Sequence, residues 1–158
     1  FYFNFIDKNK KEDINNKIVD KNINVLGKFV KEALKVSDVK VMMVPSKTFT
    51  LESCLPAFAE TYNEDAFYNK LEKKLPYNVL IDIYSILNKH ADENIFYRTD
   101  HHWTTQGAWY GYSAYNKACG KDEKIAEAKK KFKKVSGNFL GTTFSKVNMY
   151  SQKDEINI

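Results

Sequence analysis

The sequence has no run of 18 or more apolar residues, and no charged segment followed by an apolar one opens it. This excludes a transmembrane helix and a recognisable signal peptide within the chain. It also lacks an initiating Met. Its start at Phe1 has the look of a trimmed boundary, and a signal or anchor upstream is the expectation. Cysteine is scarce: Cys54 and Cys119 are the two, with no CxxC pair and no Cys/His spacing that suggests zinc. One disulfide or two buried thiols are both open, so cysteine usage does not fix the compartment. No internal repeat and no low-complexity linker interrupts the chain.

What is present argues for a folded domain. At 158 residues there is enough chain for one core, and an aromatic share of 15% is too rich for disorder. The net charge of +5 comes largely from lysines interleaved with glutamates, as in Glu123-Lys124 through Lys133-Lys134. That pattern is a solvated helix face, with weak attraction to an anionic envelope polymer or membrane as the alternative. No nucleic-acid partner is expected.

Apolar residues at helical spacing from Lys17 to Val36 (Ile18, Val19, Ile23, Leu26, Phe29, Val30, Ala33, Leu34) predict a long amphipathic helix with one broad buried face. Val39 to Val44, stopped by Pro45, reads as a buried strand. After a loop around Pro45 and Pro56, Asn63 caps a helix through Leu75, ended by Pro76. Tyr77 to Asp82 reads as a second strand, Ile83 to Ala91 as a short helix, and Asn94 to Arg98 as a third strand. Thr104 or Thr105 then caps a helix to Cys119, with Gly120 at C′. A lysine-rich helix from Asp122 to Lys134, a glycine-punctuated loop with strand character over 136–145 and a polar tail complete the chain. Strands alternating with helices predict an α/β fold with a mainly parallel sheet flanked by helices, binding ligands beyond the carboxyl ends of its strands. Three strands are few for such a sheet, which predicts that the domain continues beyond residue 158.

The residues that invite chemistry lie at the end of the third strand, in Tyr97-Arg98-Thr99-Asp100-His101-His102-Trp103-Thr104. In extended backbone, residues two apart share a side, so Asp100 and His102 can meet while His101 faces away. A carboxylate on one imidazole nitrogen fixes the tautomer and steadies the cation formed when the other nitrogen takes a nucleophile's proton. Trp103 and the aromatic helix behind it offer a stacking wall for a sugar ring, and Arg98 an anion contact. Taken alone the Asp-x-His triplet is equally compatible with a capping aspartate and a packed histidine, and the aromatics with core. Asp100-His101-His102 also matches the ligand triplet of DHH metal phosphoesterases, but Asp7, Asp13, Asp20 and Asp38 form none of the Asp-rich motifs those enzymes need.

The wider run, with Gly107-Ala108-Trp109-Tyr110 after it and Val41-Met42-Met43-Val44-Pro45-Ser46-Lys47 about fifty residues before it, resembles the bacterial DHHW-motif family. That family is similar to the acetyltransferases of alginate modification, and the resemblance covers roughly Lys17 to Lys146. It implies a flavodoxin-like, SGNH-hydrolase-like domain, all of 1–158 being one part of it, and a Ser-His-Asp site with Asp100 and His102 as catalytic residues. Trp103, Arg98 and His101 are then the substrate-binding candidates, and no metal or organic cofactor is expected. The implied function is O-acetyl transfer to, or ester hydrolysis on, a surface polysaccharide outside the membrane, with a membrane-bound acyltransferase as partner. A carbohydrate-binding or scaffold module without turnover is the alternative. In those relatives the serine follows the histidine in a Gly-Asp-Ser or Asp-Ser context, which Ser46, Ser136 and Ser145 do not match. The nucleophile is therefore expected beyond Ile158, and the chain alone is expected to be inactive. Ser46-Lys47 reads as a turn rather than a Ser-Lys catalytic pair, the glycines Gly137 and Gly141 as loop positions favouring positive φ, with backbone amides or the Asn138 side chain serving an oxyanion hole as the alternative, and His90 as a surface residue with no acidic partner at triad spacing.

Overall fold

The structure is a computed structural model that describes residues 16–59, 61–127, 132–147 and 152–158. Helix α1 (Asn16–Ala33) buries Ile23, Gly27 and Val30. They pack with Leu71 and Leu75 at the end of α3 (Glu64–Lys74) and with Val79. The buried stripe is narrower than the apolar pattern predicts: Ile18 and Phe29 stay 55% and 65% exposed. Asn63 caps α3 by accepting from the Ala66 amide at 2.9 Å. Glu64 and Asp65 sit at its positive end and Lys73 and Lys74 at its negative end, the arrangement the helix dipole favours. A second core joins Ile83 and Leu87 of α4 (Ile83–Lys89), Ala114 of α5 (Thr105–Ala118), and Ile81, Ile95 and Phe96 from the connecting segments.

The predicted strands are reduced. Val41 and Leu80 form one parallel bridge, with the Val41 amide donating to Val79 O and the Ile81 amide to Val41 O at 2.9 and 2.8 Å. Past this bridge the Ile83 amide donates to Ile81 O at 2.9 Å as α4 begins, and Met43 O accepts instead from the Tyr68 hydroxyl at 2.7 Å. The third predicted strand is instead one arm of a tight antiparallel hairpin, bridged at Phe96 and Trp103. The two-stranded sheet among the described residues is antiparallel: β1 (Lys134–Phe139) against β2 (Asp154–Asn157), with irregularities in its register. The fold is thus α/β, but a mainly parallel sheet is not what these residues build.

Helix α6 (Asp122–Glu127) is shorter than predicted; Lys134 already belongs to β1, and 128–131 lie outside the described residues. The glycine-rich loop contains a helix, α7 (Thr142–Val147). Cys54 and Cys119 are not joined, and Cys54 is exposed. No helix among the described residues is long and apolar enough to cross a membrane.

Candidate active site

The motif forms the tip of the hairpin. The Thr104 amide donates to Ile95 O at 2.9 Å and the Tyr97 amide to His102 O at 3.2 Å, closing the loop that carries Arg98 to His102. Trp103 anchors its base on α5, whose Gly107 and Gly111 admit it. A Cβ at Gly107 would stand 2.9 Å from Trp103 Cβ, and one at Gly111 2.8 Å from Cη2. Thr104 caps α5, its oxygen accepting from the Gly107 amide at 3.3 Å while its hydroxyl donates to Asn94 O at 2.6 Å. One residue therefore ties the helix start to the hairpin.

Asp100 is buried, and both its carboxylate oxygens are engaged. Oδ1 accepts from the His102 amide at 2.9 Å and meets His102 Nδ1 at 2.5 Å; Oδ2 accepts from the Thr142 amide at 2.8 Å and its hydroxyl at 3.0 Å. Burial by itself pushes this carboxyl up. The four hydrogen bonds, with the Thr142 amide foremost, outweigh it and hold the group well below the usual carboxylate range. Asp100 is therefore a fixed anion at the foot of an imidazole whose side chain is 66% exposed.

The pairing of Asp100 with His102 does not arise from an extended strand. The amide of the residue two positions on bonds the aspartate oxygen, a local turn of the kind Asp favours. For the same reason His101 does not face away. Its ring lies 4.0 Å from that of His102, its Nδ1 is 2.8 Å from Thr142 Oγ1, and the same nitrogen is 3.6 Å from Asp100 Oδ1. One carboxylate oxygen, two imidazole nitrogens and a threonine hydroxyl thus converge.

Two residues outside the motif lock the loop. Lys47 Nζ donates to Tyr97 O at 2.7 Å, Arg98 O at 3.1 Å and Asp100 O at 3.4 Å. Burial lowers its pKa, against the pull of Asp154 and Asp100. From the opposite end of the chain, buried Asp154 accepts from the Arg98 amide at 2.8 Å, the Thr99 amide at 2.7 Å and the Thr99 hydroxyl at 2.6 Å. This side-chain acceptor draws the backbone out of the predicted strand after Tyr97. The role of neither is marked in the sequence: Lys47 ends the run that carries the family resemblance but reads there as part of a turn, and Asp154 stands in a polar tail.

Beside the pair lies a cleft of about 600 Å³, lined among others by Ser46, Lys47, His101, His102, Trp103 and Thr142. Arg98 does not line it; its guanidinium bonds the Gln152 side chain. Gly141 is needed for close approach rather than for positive φ. A Cβ there would press into the Asp100 side chain, 2.8 Å from its Cγ, and the Gly141 amide donates to Thr99 Oγ1 at 3.0 Å. Ser46 Oγ accepts from the Phe49 amide at 3.1 Å as the cap of α2 (Lys47–Thr50). Ser145 Oγ reaches Gly141 O at 3.4 Å, and Ser136 Oγ accepts from the Asn138 amide at 3.3 Å. Among the described residues, none of these three hydroxyls is bonded to His102. His90 Nδ1 lies 2.7 Å from Glu93 Oε1 and its ring stacks on Tyr110 at 3.9 Å, outside the cleft lining.

Against known proteins, the family model described as DHHW protein matches residues 7–156. The chain belongs to the DHHW family. A DHHW family protein from Eubacterium siraeum is 26% identical with a TM-score of 0.63, the match covering 87% of this chain and 46% of that one. Bacillus cereus PatB1 with a sulfonyl adduct is 25% identical with a TM-score of 0.63, covering 89% and 47%. The O-acetyltransferase domain of Pseudomonas putida AlgJ shares the fold at a TM-score of 0.65 and 18% identity, covering 90% and 55%. This DHHW chain spans about half the length of the solved structures it matches. No curated protein matches it significantly.

Proposed function

We propose that this DHHW chain supplies the Asp-His half of an acyl-transfer site, in an extracytoplasmic O-acetyltransferase or esterase domain acting on the hydroxyls of a surface polysaccharide. The observation that carries this reading is the buried, ionised Asp100 held 2.5 Å from the Nδ1 of an exposed His102 beside a cleft. With Nδ1–H donating to Asp100, Nε2 is left as the acceptor. A serine Oγ–H would give its proton to Nε2 while the oxygen attacks the acetyl carbonyl; the imidazolium would then protonate the leaving group as the acyl-serine forms. A sugar hydroxyl would next give its proton to Nε2 and take the acetyl, and the serine would recover its own. Lys47 and Asp154 hold the loop in register throughout.

The serine in this reading belongs to a part of the same domain beyond Ile158, in keeping with the half-length coverage of the neighbours. A sulfonyl adduct such as the one PatB1 carries is the product expected of an activated nucleophile. Acetyl groups would arrive from a membrane-bound acyltransferase partner. Trp103 and His101 line the cleft, which supports assigning them to the sugar, whereas Arg98 bonds the Gln152 side chain outside that lining. A binding module without turnover is the second reading, favoured by the commitment of Ser46, Ser136 and Ser145 to backbone contacts.

The test uses the full-length protein and an aryl acetate ester. Asp100→Asn should lower kcat by about 10⁴-fold, as expected when the tautomer is no longer fixed, and His102→Ala should leave only background hydrolysis. Ester turnover unchanged by both substitutions would falsify the acyl-transfer reading in favour of the binding module.

A further inference from the structure

The motif holds a donor set that acyl transfer does not require. Asp100, His101 and His102 each offer one ligand atom, and the three atoms lie within 4.8 Å of one another. His101 Nδ1 and Asp100 Oδ1 are 3.6 Å apart. With metal–ligand bonds of about 2.0–2.2 Å, two ligands of a tetrahedral zinc ion lie roughly 3.3–3.6 Å apart, so this edge is already near the required length, while the 2.5 Å edge from His102 Nδ1 to Asp100 Oδ1 has to open as the ring turns. The carboxylate is buried and charged, whereas the two imidazoles are 57% and 66% exposed and can adjust. Two imidazoles and a carboxylate suit a borderline divalent ion and leave a coordination position open to the cleft.

We propose that Asp100, His101 and His102 form a three-ligand site for a divalent transition ion of the zinc class. The ion and the acid–base pair exclude each other at one atom. In the pair, His102 Nδ1 carries the proton and donates it to Asp100; under the ion, the Nδ1 lone pair faces the metal and the ring proton resides on Nε2. A neutral ring changes tautomer without net proton release, and Nε2 ceases to be an acceptor. Occupancy stands apart from the acyl-transfer reading, while its inhibitory consequence rests on that reading.

The experiment is calorimetric titration of Zn²⁺ into the full-length protein carrying Cys54→Ser and Cys119→Ser, which removes both thiols as competing ligands, with the visible spectrum of Co²⁺ as a second probe and circular dichroism confirming that this parent is folded. The expected result is one saturable ion per chain. His101→Ala should weaken it by more than the roughly 10–100-fold typical of a lost outer-shell partner, and His90→Ala should leave it unchanged. His101→Gln provides a second variant if circular dichroism shows that His101→Ala does not fold. Absence of saturable one-to-one binding, or affinity unaltered in the folded His101 variant, overturns the proposal. Because heat and absorption are read rather than turnover, a missing serine cannot produce either result.

Discussion

At the scale of single residues, the position with least freedom is Gly141. Its missing side chain is what lets Asp100 receive the Thr142 amide, since a methyl there would occupy space the Asp100 carboxylate already fills. Gly141→Ala should destabilise the fold by about 1–3 kcal/mol, the usual range for forced overpacking. It should also separate Asp100 from His102, read as a loss in the thermal midpoint together with a changed His102 imidazole signal in NMR spectra. The partnership of Asp100 with His102 is legible from their spacing of two, although a turn closed by the aspartate itself, rather than a strand, brings them together. A turn of that kind brings both neighbours close, so His101 lies beside His102 rather than facing away.

At the scale of elements, caps were the most readable feature. Asn63, Thr104 and Gly120 occupy the cap positions expected, Gly120 with φ of +66°, because capping is decided by a few adjacent atoms. Thr104→Ala should cost about 1 kcal/mol through the cap alone. Because the same hydroxyl also holds Asn94 O, the loss in urea unfolding free energy should exceed that seen in a helix capped only locally. Strands were less readable, because apolar runs such as Val39 to Val44 report burial rather than partners. Which partners they find depends on groups far along the chain: Met43 O is taken by the Tyr68 hydroxyl. In the 136–145 segment the expected strand character is present in β1, whereas the helix α7 and the close packing of Gly141 against Asp100 carry no local mark.

At the scale of the whole molecule, the site is a convergence of distant segments: Lys47 from one side, Thr142 from α7 and Asp154 from β2, all gripping one hairpin. Its energetics depend on an ionised Asp100. The carboxyl titrates lower in the folded chain than its unfolded value of about 3.9. Between those two values the unfolded chain binds more protons, so stability falls as pH drops through that interval and is fully present above it. Urea midpoints should therefore decline below about pH 4, and the gap between the native chain and Asp100→Asn should narrow over the same range; a constant gap would refute the assignment. Such convergence could not be read from sequence, because Asp154 stands 55 positions from the residue it binds and nothing around it marks it. It also sets an order of events at the ribosome. The hairpin emerges at least 42 residues before Thr142 can reach it, an interval of roughly 2–8 seconds at synthesis rates of about 5–20 residues per second. Throughout that interval Asp100 lacks the two Thr142 hydrogen bonds that help to fix its carboxylate, and the geometry beside His102 is completed only when α7 folds against the hairpin.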